Sequence, residues 1–233
     1  MSIYKILALI PAYNESARLA VVVAGALVHL PVLVVDDGSS DDTAAVAEGA
    51  GAEVWRQTPN QGKGAAIRRG MAEARGRWRL FTDADNSTPI AELDKFWGPA
   101  NEGFDVVIAS RALPESRLEL RQPLYREMMG RCFNRFVQAL AISGIRDTQC
   151  GFKLFSQDAS RAVFPRQQLP GWTFDVECLM IARGLGFRIA EVPVRWINSP
   201  ATRIRALSDS LRMFRDLWRL RRKYGKDGAR ITK

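Results

Sequence analysis

Residues 6–15 read Ile6-Leu7-Ala8-Leu9-Ile10-Pro11-Ala12-Tyr13-Asn14-Glu15, an unbroken apolar run that stops at a proline and turns polar. Five consecutive apolar residues without alternation mark a strand covered on both faces, the kind found in parallel sheets. The pattern recurs: Val32-Leu33-Val34-Val35 runs into Asp36-Asp37-Gly38-Ser39-Ser40-Asp41, and Trp78-Arg79-Leu80-Phe81-Thr82 into Asp83-Ala84-Asp85. Shorter β-rich runs stand at 53–55 and 106–108, and the intervals 15–27, 41–50, 62–74 and 89–97 carry helical patterns. Ser40 and Asp41 suit a helix start, as does Pro89. Strands alternating with crossover helices predict a layered α/β fold built on a parallel sheet. Ligands bind such sheets beyond the carboxyl ends of the strands, which is where this sequence becomes acidic.

Past Arg111 the character changes. A loop leads to a long helical pattern over 124–142, an irregular stretch at 147–151, a short element, a helix over 174–183, a strand over 188–192 and a last helix over 207–222. No internal repeat or linker interrupts the chain, so a single domain is expected.

With 233 residues, 47% of them apolar and 25% charged, the chain is neither disordered nor fibrous. A domain of this size removes roughly 70% of its surface from water on folding, so staples are not required. Cys132, Cys150 and Cys178 are an odd number without CxxC spacing, which argues against a disulfide framework or zinc site and suits the cytoplasm. The longest apolar stretch, 19–28, falls well short of the roughly 20 residues needed to cross a bilayer, and no secretory signal is visible. The net charge of +9 is uneven. Residues 1–110 carry 10 basic and 14 acidic groups, residues 111–200 carry 13 and 8, and residues 201–233 carry 11 and 3. An acidic front fit for a cation thus precedes a basic back fit for an anionic partner, whether phosphate, nucleic acid or membrane surface.

Carboxylates crowded at a strand end are costly unless a cation or a donor-rich ligand compensates them. The cluster at 36–41 and the pair Asp83 and Asp85 therefore read as ligand or metal groups, with helix capping and solvated loop aspartates as the alternatives. Two carboxylates at i and i+2 can hold a hard divalent ion that keeps its other positions for water and substrate phosphate.

Taken together, Pro11-Ala12-Tyr13-Asn14-Glu15, Val35-Asp36-Asp37-Gly38-Ser39-Ser40-Asp41-Asp42-Thr43, Asn60-Gln61-Gly62-Lys63-Gly64 and Asp83-Ala84-Asp85 resemble the family 2 glycosyltransferases of the GT-A fold. Further motifs resemble the polyprenyl-phosphate branch, close to dolichyl-phosphate β-glucosyltransferases. These are Ser110-Arg111, Asp147-Thr148-Gln149-Cys150-Gly151-Phe152-Lys153, Trp172-Thr173-Phe174-Asp175-Val176-Glu177 and Glu191-Val192-Pro193-Val194-Arg195-Trp196. The resemblance covers residues 5 to about 222. It implies a nucleotide-sugar-binding half, 1–110, and an acceptor-binding half, 111–233. Pro11, Tyr13, Glu15 and Asp37 would contact base and ribose, with Lys63 offering charge to phosphate on a loop whose glycines let the nucleotide approach the backbone. Asp83 and Asp85 would lie near the diphosphate and a Mg2+ or Mn2+ ion, Asp85 being the first choice as direct ligand. By the same resemblance Arg117 and Arg131 would grip an acceptor phosphate, and Arg203 the donor diphosphate. Relatives carry glycine before Arg203's pair with Thr202, where this chain has Pro200-Ala201. Asp175 falls where the wider family places a base.

The expected activity is inverting, metal-dependent transfer of a hexose onto a polyprenyl phosphate at the inner face of the cytoplasmic membrane. UDP-glucose is the leading donor and GDP-mannose the second. A phosphate monoester is already ionised at neutral pH, so this acceptor needs no base; the demand is for positive charge, and Arg111, Arg117, Arg121, Arg126, Arg131, Arg203 and Arg205 are at hand. The apolar stripe Leu207, Leu211, Phe214 and Trp218, and a second one containing Met128, Cys132, Phe133, Phe136, Val137 and Leu140, are flanked by arginines and fit a bilayer interface or the core. Rival readings are a soluble hydroxyl acceptor with Asp175 as base, and a family member that binds nucleotide sugar without turnover. Binding of nucleic acid by the basic tail is disfavoured, because aromatic and basic residues are not interleaved and the front is acidic.

Overall fold

The computed structural model describes residues 6–120, 124–199 and 206–232. Its first half alternates β1 (Ile6–Ala12), α1 (Ser16–Leu27), β2 (Val32–Asp36), α2 (Thr43–Gly49), β3 (Glu53–Arg56), α3 (Lys63–Glu73) and β4 (Trp78–Thr82). A 3-10 turn over Ile90–Phe96 passes into the short α4 (Trp97–Asn101) and then β5 (Val106–Ser110). The fourth expected helix is therefore mostly a 3-10 segment. The second half supplies β6 (Arg117–Glu119), α5 (Leu124–Leu140), β7 (Phe152–Ser156), α6 (Gln157–Val163), α7 (Phe174–Gly184), β8 (Ile189–Pro193), β9 (Arg195–Ile197) and α8 (Ala206–Tyr224).

Seven strands form one sheet in the order β3-β2-β1-β4-β7-β5-β8. All pairs are parallel except those of β7, which lies antiparallel between β4 and β5. Strands from both halves thus share one sheet, a mostly parallel GT-A-type architecture. Along each strand the side chains alternate between two cores. Leu9, Leu33, Phe81, Ile108 and Phe155 pack under α3, α5, α6, α7 and α8; Ile10, Val34, Leu80, Val107 and Leu154 face α1, α2 and α4. A separate parallel pair, β6 and β9, was not anticipated, since strands of three residues carry too little periodicity to read.

The order of the first four strands positions the site. From β1 the chain moves outward to β2 and β3, then returns to the other side of β1 as β4, which makes the space beyond β1 and β4 a topological switch point. Ala8 N–H donates to the Pro31 carbonyl and the Ala12 carbonyl accepts from Asp37 N–H, so these residues bond toward β2. Leu9 and Pro11 bond toward the opposite side. The β1–β4 register ends at Leu9 and Phe81, whereas β1–β2 runs on to Ala12 and Asp36. Pro11 therefore needs no donor there, and it borders the cleft opened by the parting strands.

Candidate active site

A cavity of about 370 Å3 lies in that cleft. Pro11, Tyr13, Glu15, Asp37 and Lys63 all line it, so the structure brings together the groups expected at base, ribose and phosphate. Its far wall comes from Trp172, Thr173 and the α8 residues Arg212, Met213 and Asp216, which the sequence reading did not place there.

The acidic loops are compensated largely by the protein's own donors. Asp41 accepts from Ser16 Oγ at 2.8 Å, from the Thr43 amide at 3.0 Å and from the Thr43 hydroxyl. Burial raises its carboxyl, and these bonds outweigh it, bringing it down to about 2. Asn14 Oδ1 accepts from Ser40 N–H at 2.8 Å, while Asn14 N–H donates to Ser39 Oγ at 2.9 Å. The loops after β1 and β2 are thereby laced together. Asp36 is held by Ser39. Within 36–41 it is Asp37, the residue named for base and ribose, that lines the cavity, while Asp36 and Asp41 are engaged by neighbouring hydroxyls and amides. Its Oδ1 accepts from Gln57 Nε2 at 2.6 Å and Gln61 N–H at 2.8 Å, and its Oδ2 from Gly62 N–H at 2.8 Å. One lone pair of Oδ2 remains for a donor in the groove.

The loop glycines carry a packing role besides the one expected of them. A Cβ on Gly62 would lie 2.6 Å from the Pro170 carbonyl oxygen, and one on Gly64 2.5 Å from that of Leu169. Gly64 N–H donates to Pro170 O at 2.8 Å. These glycines let the 169–174 loop close over the start of α3, where Pro170 to Thr173 line the groove.

Lys63 sits at the hub. Its ammonium is 2.6 Å from Asp83 Oδ1 and 5.3 Å from the Trp172 ring. Burial lowers its pKa, but Asp83, Asp175 and Asp85 raise it further, so the amine stays charged. Behind it, the fully enclosed Lys153 donates to the Asp175 carboxylate and to Cys150 O at 2.6 Å. Burial raises the Asp175 pKa while Lys153 and Lys63 pull it back. Charges thus alternate from Lys153 through Asp175 and Lys63 to Asp83. Lys153 was named only within its motif; a lysine between apolar residues of a central strand is the signal that could have singled it out.

Asp83 and Asp85 follow β4 directly. Asp83 N–H bonds Gly151 O at 3.0 Å, and a Cβ on Gly151 would overlap the Asp83 carboxylate, so this glycine is the cradle that lets the acid lie where it does. Asp85 Oδ1 accepts from Ser87 N–H at 2.9 Å across a turn in which Asn86 takes a positive φ of 52°. Among the described residues no three His, Cys, Asp or Glu side chains gather at a metal position. Two carboxylates with hard oxygens nevertheless fit an ion that takes its remaining ligands from diphosphate and water, and Asp83 already engages a cation in the Lys63 ammonium. Arg18 adds charge nearby: it is 2.5 Å from Glu15 and 3.1 Å from Ser199 Oγ, and its pKa is raised by the Glu15 hydrogen bond and by Asp85 and Asp83.

Arg117 is exposed on β6, and Arg131 is exposed on α5, 3.9 Å from Glu127; neither lines the groove. Arg111 is engaged by the protein itself. It forms a bidentate pair with Asp147 at 2.7 and 2.9 Å and stacks over Trp196, pinning the 147–151 loop to the end of β5. Arg121, Arg203 and Arg205 lie outside the described residues, as does the side chain of Arg126.

Glycosyl transferase family 2 matches this chain over residues 8–164. A dolichyl-phosphate beta-glucosyltransferase of Drosophila melanogaster is 36% identical across 90% of the chain and 72% of that protein. The human one is 34% identical across 92% and 74%, and that of Dictyostelium discoideum 32% across 93% and 73%. Among solved structures, glucosyl-3-phosphoglycerate synthase of Mycobacterium tuberculosis, in complex with Mn2+, UDP and glucosyl-3-phosphoglycerate, superposes with a TM-score of 0.72. It covers 93% of this chain and 78% of that one at 21% identity. The cleft at the β1–β4 switch point, the paired aspartates after β4 and these matches agree: the chain belongs to the family 2 glycosyltransferases, enzymes of the GT-A fold.

Proposed function

We propose that the protein transfers glucose from UDP-glucose to a polyprenyl phosphate at a membrane surface, with inversion at the anomeric carbon. The observation that carries this is the groove itself: Pro11, Tyr13, Glu15, Asp37 and Lys63 line one cleft that leads through Lys63 to Asp83 and Asp85. The relatives named for dolichyl-phosphate glucosyl transfer support the acceptor class.

Asp37 accepts an N–H of the base, and the main chain at Pro11 and Tyr13, with Glu15, borders base and ribose. Asp83 and Asp85 would hold Mg2+ or Mn2+, which when bound supplies positive charge to the leaving diphosphate. Lys63, swung from Asp83 to a phosphate oxygen, and Arg203 add to that charge. An acceptor phosphate oxygen attacks the anomeric carbon from the face opposite the departing diphosphate; one C–O bond forms as the other breaks, and no proton must be removed first. Arg117 and Arg131 are assigned to the acceptor phosphate. Asp175 lies off the groove and is bound by Lys153, which suits an anchor for Lys63 better than a base, and so favours a phosphate over a hydroxyl acceptor.

Docking to the membrane is assigned to α5 and α8. Tyr125, Met128, Phe136, Leu211 and Trp218 are exposed there, beside the exposed Arg131, Arg135, Arg215 and Arg219. No helix among the described residues is long and apolar enough to cross a membrane.

Purified protein given labelled UDP-glucose, Mn2+ and a short polyprenyl phosphate should form a lipid-linked sugar, and chelation should stop it. Turnover with GDP-mannose alone would reassign the donor, and turnover with no nucleotide sugar would sink the assignment.

A further inference from the structure

The far wall of the groove has no role in the reading above. Arg212 and Asp216 stand one turn apart on α8, hence on one face, and both line the cavity that Asp37 and Tyr13 also line. Asp216 is only 7% exposed, and its ion-pair partner among the described residues is Arg219 at 3.6 Å, on the outer side of the helix. Thr173, entirely buried, turns its hydroxyl toward Asp216 without closing a hydrogen bond of normal geometry. Arg212 has no carboxylate within ion-pair distance among the described residues, and Trp172 presents a half-buried ring on the same wall. A carboxylate buried at a cavity wall and a neighbouring enclosed hydroxyl without a partner are costly unless a ligand completes them.

We infer that Asp216, Thr173 and Arg212 form a sugar-ring subsite of the donor groove. The inference rests on the nucleotide-sugar reading and adds the residues that grip the ring. The ligand chemistry is a vicinal diol: two O–H donors meet the two oxygens of one carboxylate, Thr173 serves a neighbouring ring oxygen or hydroxyl, and Arg212 reaches a hydroxyl or the adjoining phosphate. Trp172 offers its face to the apolar side of the ring. The diol belongs either to the ribose or to the transferred hexose, and binding measurements separate the two.

The test uses the full chain with Mn2+ and isothermal titration of UDP, 2′,3′-dideoxy-UDP and UDP-glucose, against wild type, Asp216→Asn and Thr173→Val. Loss of a hydrogen bond to a charged group should weaken binding about tenfold to a hundredfold in Asp216→Asn. A ribose contact weakens UDP and UDP-glucose alike and leaves dideoxy-UDP unchanged; a hexose contact weakens UDP-glucose alone. Thr173→Val should show the same ligand pattern with a smaller loss, which covers the case of an Asp216 variant that fails to fold. Equal losses for all three ligands, or none in a folded variant, would overturn the subsite. Wild type that binds neither UDP nor UDP-glucose overturns the donor reading beneath it, a result told apart from failure of the subsite by needing no variant.

Discussion

At the scale of single residues, the Lys153–Asp175 pair is the most exacting feature. Both side chains are buried, so removing one partner strands a charge that water cannot reach. Lys153→Met should cost about 3–5 kcal/mol in denaturant unfolding, and the double change with Asp175→Asn should recover much of that. Gly151 makes a different demand. The atoms in the way of an added Cβ belong to the mobile end of Asp83, so Gly151→Ala should fold with a melting temperature near wild type yet displace the carboxylate. Transfer should then fall to the level of Asp83→Asn, and a Gly151→Ala enzyme with wild-type turnover would refute the cradle. Both residues stood in the 147–153 motif without a role of their own, because the burial that makes Lys153 costly and the contact that makes Gly151 obligatory arise only when β7 enters the sheet beside β4.

Among the elements, the loops after β1 and β2 behave as one laced unit through Ser16, Asp41, Asn14 and Ser39. The folded pKa of Asp41, about 2, lies below its ordinary 3.8, so its contribution is present above pH 4 and is lost as pH falls toward 2. Wild type should therefore lose more stability than Asp41→Asn between pH 4 and pH 2, compared by urea midpoints. An identical slope would show the lacing carries no weight. The helix α8 supplies the clearest contrast between pattern and packing. The sequence stripe Leu211, Phe214 and Trp218 is not the buried one: Leu211 and Trp218 are 73% and 59% exposed, and Phe214 meets Phe133 and Phe136 of α5 edge to face. The inward stripe is Leu217, Leu220 and Tyr224, offset by about one residue and continuous with the core under the sheet. Leu217→Ala should cost about 2–5 kcal/mol, whereas Trp218→Ala should leave the unfolding midpoint nearly unchanged. Periodicity named the helix and left this stripe open between a bilayer interface and the core, since two apolar stripes with the same spacing differ only in what lies against them.

For the whole molecule, the charge of +9 and the exposed ridge of α5 and α8 act together. Binding to vesicles containing anionic lipid should weaken steeply as salt rises from 0.05 to 0.5 M, because headgroup attraction of roughly 1 kcal/mol per nearby basic residue is screened. Leu211→Ser with Trp218→Ser should abolish sedimentation with vesicles at any salt while UDP binding persists. Binding that ignores both salt and these residues would remove the ridge from the account.

The amino-acid sequence by itself determined the layered α/β class, the main elements to within a few residues, and the polar strand ends where ligands gather, because these follow from local periodicity and from turn chemistry. Which carboxylates face the groove was decided only in three dimensions. Composition and spacing do not separate Asp37 from Asp41, and only the family resemblance had picked out Asp37; in the fold Asp37 meets the cleft and Asp41 a pair of hydroxyls, and Asp216 joins Asp37 across some 180 intervening positions. Burial, pairing and the choice of helix face depend on contacts between distant segments, and no short window of residues contains them.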